Sequence, residues 1–167
     1  LASTVKEAFY LARSGRPGPI LVDIPKDITK EVINYSPPGE VKLKSYNPTY
    51  KPNMMQLKKI VNLIKGSKRP IIFAGGGVIL SKGSQELTDL ARKTQIPVTT
   101  SLMGLGAFPG SDPLSLGMIG MHGTYRANMV TSVCDLMISV GVRFDDRVTG
   151  KTDAFAAQSQ IVHIDID

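Results

Sequence analysis

Leu136-Met137-Ile138-Ser139-Val140-Gly141-Val142-Arg143-Phe144-Asp145-Asp146-Arg147 is the stretch on which the fold is read: a short apolar run, a glycine, then four charges within five residues. An apolar run this short and nearly unbroken reads as a strand covered on both faces, because a strand with one wet face would alternate. The same grammar recurs outward from it. Pro70-Ile71-Ile72-Phe73-Ala74 runs into Gly75-Gly76-Gly77, Ile96-Pro97-Val98-Thr99-Thr100 runs into Ser101-Leu102-Met103-Gly104, and Ile161-Val162-His163-Ile164-Asp165-Ile166 is the last such run. Helical stripes separate them: Met54, Leu57, Ile60, Val61 and Ile64; then Leu87, Leu90 and Ala91 within 84–94; then a helix over about 124–133. Residues 101–123 read as one long glycine-rich loop. Alternating strands and helices predict an α/β fold, a parallel sheet flanked by helices.

The first fifty residues read differently. Thr4 and Glu7 have the spacing of a capping box, and Val5, Ala8, Phe9 and Ala12 repeat at helical intervals until Gly15. Pro17-Gly18-Pro19 then turns the chain into Ile20–Ile24, a predicted strand closed by Pro25, so this part reads as the tail of a βαβ unit. Pro37, Pro38, Pro48 and Pro52 sit in a lysine-rich stretch without an apolar face, which predicts a linker. The expected division is therefore 1–36, the end of one α/β domain; 37–53, a linker; and 54–167, a second, truncated domain. A start at Leu1 without Met, and an apolar run ending at Asp167 without a turn, read as the ends of a piece cut from a larger protein.

Composition narrows the function classes. The 167 residues carry a formal net charge of +6, one cysteine, Cys134, and no apolar run near the roughly 20 residues of a membrane span. A reducing, soluble compartment is expected. The basic excess lies outside the glycine-rich half: residues 1–69 hold 13 Lys/Arg against 5 Asp/Glu, and residues 70–167 hold 7 against 9. Scattered over helix faces and a linker, without aromatic interleaving, these charges argue for a solvated surface and against nucleic acid.

In an open parallel sheet, ligands bind at the carboxyl ends of strands, where the strand order reverses. Gly75-Gly76-Gly77 offers backbone amides that a Cβ would shield. Ser101 supplies a hydroxyl, with Leu102 and Met103 as apolar neighbours for a flat ring. Gly117, Gly120 and Gly123 precede a helix, leaving amides at its N-terminus for an anion, and His122 beside them reads as a hydrogen-bonding contact rather than a base. Arg143 and Arg147 can grip phosphate, while Asp145 and Asp146 can take ribose hydroxyls or orient the arginines. Asp165 and Asp167 close a later strand as candidate ribose partners. With only His122 and His163 present, a histidine metal site is not expected. The elements describe an elongated ligand, partly anionic and partly flat, and a dinucleotide fits.

Gly120-Met121-His122-Gly123-Thr124, Gly141 through Gly150, Ile161 through Asp167 and Ser14 through Asp27 closely resemble, in register and in order, the acetohydroxyacid (acetolactate) synthase family of thiamine-diphosphate enzymes. The resemblance implies a Rossmann-like central domain that binds FAD, preceded by the end of the N-terminal, pyrimidine-binding domain. It implies FAD contacts at Arg16, Gly76, Ser101, Leu102, Ile119, Gly120, Met121, His122, Gly141, Val142, Arg143, Phe144, Asp145, Asp165 and Ile166. Ser101 stands where the family more often has Thr. Asp146 and Arg147 would lie at the mouth of the substrate channel. The family decarboxylates pyruvate and condenses it with a second 2-oxoacid, pyruvate or 2-oxobutanoate, in branched-chain amino-acid biosynthesis. The resemblance implies that thiamine is activated by a glutamate of the N-terminal domain and that its diphosphate and Mg²⁺ are held by a Gly-Asp-Gly followed by an Asn in the C-terminal domain; no Gly-Asp-Gly occurs in this sequence. No catalytic residue or metal ligand is therefore assigned, and the chain alone is expected to be inactive. A homo-oligomer and a regulatory small subunit are the expected protein partners, with a cytoplasmic location in bacteria and a plastid or mitochondrial one in eukaryotes. The alternatives are the nucleotide-binding central domain of another thiamine-diphosphate enzyme, or a stand-alone nucleotide-binding regulatory module.

Overall fold

β1 (Pro70–Ala74) carries the centre of the fold because three of its consecutive side chains, Ile71, Ile72 and Phe73, are all excluded from water. Only a strand with a neighbour on each edge and helices on each face can bury an unbroken run in this way. The computed structural model describes residues 1–166; Asp167, one of the candidate ribose partners, lies outside the described residues. The backbone divides into two compact units, Asn53–Asp165 and Leu1–Pro52, the latter grouped with Ile166.

In the larger unit β1 is joined by β2 (Val98–Thr100), β3 (Ser115–Met118), β4 (Leu136–Val140) and β5 (Gln160–Ile164). All pairings are parallel and the order is β3-β2-β1-β4-β5. The chain moves outward from β1 to β3, crosses back to lay β4 on the other edge of β1, and continues to β5. The order thus reverses between β1 and β4. Phe73 lies opposite Thr99 on one side and Ser139 on the other, and Ser139 lies opposite His163.

Alternation sorts the core into two layers. Ile72, Ala74, Leu136 and Ile138 pack with Val78 of α3 (Gly76–Leu80), with Leu87 and Ala91 of α4 (Ser84–Thr94), and with Leu63 and Ile64 of α2 (Met54–Gly66). On the other face, Ile71, Phe73 and Met137 pack with Ala127 and Val130 of α5 (Tyr125–Val133) and Val148 of α6 (Asp146–Thr149). The expected parallel sheet with helices on both faces is what forms. At the entry edge Asp135 ties the sheet together: its carboxylate accepts from Ser67 Oγ at 2.5 Å, Lys68 N at 2.7 Å and Arg69 N at 2.9 Å. These donors, the Ser67 hydroxyl first, hold its pKa down at about 2.

Several local expectations are corrected. The loop read over 101–123 contains β3, whose four residues are interrupted by Gly117 at φ +83 and whose pairing with β2 shifts register between Val98 and Thr99. So short and broken a pattern carries no readable period. The glycine triplet opens α3, and the charged cluster contains α6. The expected strand over 96–100 begins only at Val98, and the last strand ends at Ile164.

In the smaller unit, α1 (Ala2–Arg13) begins at Leu1 without a side-chain cap, so the Thr4–Glu7 box does not form. Thr4 already lies inside the first turn, and a capping residue must stand outside it with non-helical backbone. Residues 20–24 form no strand; Leu21 is 89% exposed. A strand exists only as a paired ladder, and no described residue pairs with these. The proline-rich stretch packs on the α1 end: Tyr46 meets Tyr10 edge to face at 6.0 Å, and Gly15 N donates to Tyr50 Oη at 2.8 Å.

Candidate functional site

Because every strand runs the same way, five strand ends meet one edge of the sheet, and the sequence candidates of the larger unit gather there. At the reversal point, β1 and β4 close on each other through glycine. Gly75 N donates to Val140 O and Gly77 N to Gly141 O, both at 2.9 Å. A Cβ on Gly75 would overlap the Gly141 carbonyl, and one on Gly77 would stand 2.6 Å from Gly141 Cα. Two of the three amides expected to face a ligand are therefore used to join the strand ends. Gly76 N is the amide of the triplet left for a ligand, with Met103 alongside: a Cβ on Gly76 would stand 3.1 Å from Met103 Cβ.

Beyond β2, Ser101 Oγ accepts from Gly104 N at 3.1 Å and so caps a single 3₁₀ turn over Leu102–Gly104. That turn points Leu102 and Met103 outward, 67% and 76% exposed. Beyond β3, Ile119 is buried in the core, Gly120 takes φ +104, and Met121 and His122 are exposed. The amides expected to be free before α5 are largely committed: Gly123 N donates to Gly120 O, Thr124 N to Met118 O and Ala127 N to Thr124 Oγ1. Thr124 is the N-cap, so the helix start is closed by its own chain.

Beyond β4, apolar and charged residues face opposite ways. Val142 is buried, and the Phe144 ring lies 6.0 Å from Phe73, 6.1 Å from Phe155 and 5.3 Å from His163. His163 Nε2 lies 2.7 Å from Val142 O, a donated bond that fixes which ring nitrogen carries hydrogen. Arg143 is held outward, 67% exposed, beside Asp145 at 3.5 Å. Asp145 is the N-cap of α6, accepting from Arg147 N at 3.2 Å and Val148 N at 3.3 Å. One of its oxygens is thereby committed to structure. Asp165 follows β5, 3.8 Å from His163 Nε2.

The side chains of Ile119 and Val142 thus serve the core, leaving their backbone to meet a ligand, while the Phe144 ring is half-buried against the same core. Leu102, Met121, His122 and Arg143 present side chains. Arg16 and Ile166 lie in the smaller unit, Arg16 exposed and Ile166 half-buried. Asp146 and Arg147 stand apart from the glycine junction and line, with Met121, Asn128, Lys151 and Phe155, a cleft of about 300 Å³ between α5 and the chain after β4. Met121 N donates to Arg147 O at 3.0 Å, which joins this cleft to the β3 turn. Asn128 and Lys151 were not legible as site residues, since a polar residue one turn into a helix, or a lone lysine, looks like surface. Among the described residues, the buried side-chain oxygen without a partner is Ser139 Oγ, inside β4. No group of three or more His, Cys, Asp or Glu among them is arranged to hold a metal, and no described helix is long and apolar enough to cross a membrane.

A family model described as "Thiamine pyrophosphate enzyme, central domain" matches residues 57–167. The chain is 53% identical to the acetolactate synthase large subunit of Buchnera aphidicola subsp. Schlechtendalia chinensis, over 98% of this chain and 29% of that protein. It is 46% identical to the acetolactate synthase large subunit of Cyanidium caldarium, over 100% of this chain and 29% of that one. It is 52% identical to acetolactate synthase 2, chloroplastic, of Nicotiana tabacum, over 98% of this chain and 24% of that one. The chain thus spans less than a third of the length of the relatives it matches.

Proposed function

The chain belongs to the thiamine pyrophosphate enzyme central-domain family, and on that premise we propose that it is the central part of an acetolactate synthase large subunit whose strand-end edge holds FAD. In this reading 1–36 is the end of the pyrimidine-binding domain, 37–53 the connection, and 54–167 the central domain. The whole protein decarboxylates pyruvate and condenses it with pyruvate or 2-oxobutanoate, using thiamine diphosphate and Mg²⁺ held by other parts of the enzyme. A homo-oligomer and a regulatory small subunit belong to the same proposal.

The observation that carries the FAD reading is the composition of the exposed edge: Leu102, Met103 and Met121 offer apolar surface, Arg143 an outward guanidinium, and Gly76 a backbone amide beside Met103. Apolar side chains suit a flat ring system, and a guanidinium suits a diphosphate, which it can bind through two hydrogen bonds. The Asp165 carboxylate suits a ribose hydroxyl. FAD, when bound, supplies a rigid scaffold rather than redox chemistry, since decarboxylation followed by condensation moves no net electrons. The chain's own residues do the rest: His163 and Phe144 hold the Val142 backbone in place, and Asp145 orients Arg143. Asp146, Arg147 and Met121 border the cleft through which substrate would pass.

The test is the flavin absorption of the purified full-length protein, followed by its titration with FAD after Arg143→Ala. Losing one charge-assisted phosphate contact of about 1.5–3 kcal/mol should weaken FAD binding by roughly 10- to 100-fold. A full-length protein that forms acetolactate yet carries ADP or no nucleotide would overturn the FAD assignment.

A further inference from the structure

We propose that Asn128 is a positioning residue whose carboxamide sets the Met121–His122 turn against Arg147. Its Oδ1 accepts from Gly120 N at 3.0 Å while its Nδ2 donates to Gly120 O at 3.0 Å. One side chain thus pairs with both polar groups of one backbone residue, whose carbonyl also accepts from Gly123 N at 2.9 Å. The two bonds also fix the amide's orientation, because flipping it would set hydrogen against hydrogen and oxygen against oxygen.

What is gripped is a point where only glycine fits. Gly120 stands at φ +104, and a Cβ there would come within 2.7 Å of Arg147 O. That same carbonyl accepts from Met121 N at 3.0 Å. The turn is therefore held by Asn128 on the α5 side and by Arg147 on the α6 side. Asn128 is itself well placed: α5 is capped by Thr124, whose hydroxyl donates to Leu116 O of β3 at 2.6 Å, and Asn128 N donates to Thr124 O at 3.1 Å. The line of connection runs from β3 through Thr124 and Asn128 back to Gly120, and so to the exposed Met121 and His122. Alanine cannot replace either bond. Aspartate keeps the acceptor but sets a charge against the Gly120 carbonyl until it is protonated, when its O–H can donate there.

The functional half of this inference rests on the reading of the turn as a cofactor and substrate-channel segment; the structural half does not. Full-length wild type, Asn128→Ala, Asn128→Asp and Val133→Ala are compared, the last a control that trims an exposed side chain at the far end of the same helix. Hydrogen exchange over 117–123 should speed about tenfold in Asn128→Ala and stay near wild type in Val133→Ala. The FAD dissociation constant should rise about tenfold in Asn128→Ala. In Asn128→Asp, both defects relative to wild type should shrink as pH falls through the pKa of the new carboxyl group. Exchange over 117–123 unchanged in Asn128→Ala overturns the clamp. Faster exchange with unchanged FAD affinity overturns the positioning role. A wild type that binds no flavin sinks the cofactor reading alone, and exchange over 117–123 then decides the clamp by itself.

Discussion

Gly141 illustrates how much one residue can decide. It adopts φ +56, where a side chain costs about 1–2 kcal/mol, and a Cβ there would stand 2.7 Å from Gly77 Cα and Val78 N. Backbone cannot swing aside as a flexible side chain can. Gly141→Ala should therefore cost about 3 kcal/mol or more in urea unfolding, with the steric overlap adding to the conformational penalty; a cost below about 1 kcal/mol would mean that the junction yields. Asp135 makes a prediction of a different kind at the other end of the sheet. Its folded pKa of about 2 lies below the ordinary value of 3.8, so the stabilisation it provides is complete above pH 4 and is lost as pH falls toward 2. Asp135→Asn should accordingly lower the urea midpoint at pH 7, and the gap to wild type should close between pH 4 and pH 2. A gap independent of pH would assign the loss to packing instead. The sequence marked Gly141 as a candidate ligand contact, and its close approach to Gly77 is a second constraint visible only in the fold; Asp135 carried no signal, because Ser67 lies 68 positions away.

At the scale of elements, the short helix α6 turns the β4 end into a site. Its four residues have little stability of their own, so the Asp145 cap matters more than it would in a long helix. Asp145→Ala should cost about 1 kcal/mol and release Arg143 from its ion pair, whereas Asp145→Asn, an equally good cap, should keep the stability. Parallel FAD titrations separate capping from direct contact: unchanged affinity in Asp145→Asn supports capping, and a loss equal to that of Asp145→Ala supports a ribose contact. Elements with a full apolar period were legible, as at 70–74, 84–94 and 136–140. Those set by neighbours were not. β3 exists because β2 lies beside it, with Thr99 Oγ1 donating to Gly117 O at 2.9 Å, and residues 20–24 fail as a strand for want of a described partner.

For the whole molecule, the two units differ in kind. Asn53–Asp165 has a two-layer core, while none of residues 1–52 is buried, and Val32, Tyr35 and Phe9 are 100%, 74% and 66% exposed. A unit without a core cannot hold a catalytic group to the fraction of an ångström that chemistry needs. The chain alone should thus form no acetolactate from pyruvate above a buffer blank in the presence of thiamine diphosphate, Mg²⁺ and FAD; measurable turnover would refute this. By itself the sequence determined the parallel α/β class and the edge on which candidate ligand residues stand. Both follow from local rules: strands buried on two faces must be apolar throughout, and parallel strands share their exit edge. Which of those residues remain available was decided only by the tertiary structure. Gly75 and Gly77 spend their amides on β4, Asp145 spends an oxygen on α6, and Gly120 is claimed by Asn128. A hydrogen bond is a relation between two groups, and where the second lies far along the chain, only the folded arrangement determines whether the first is free.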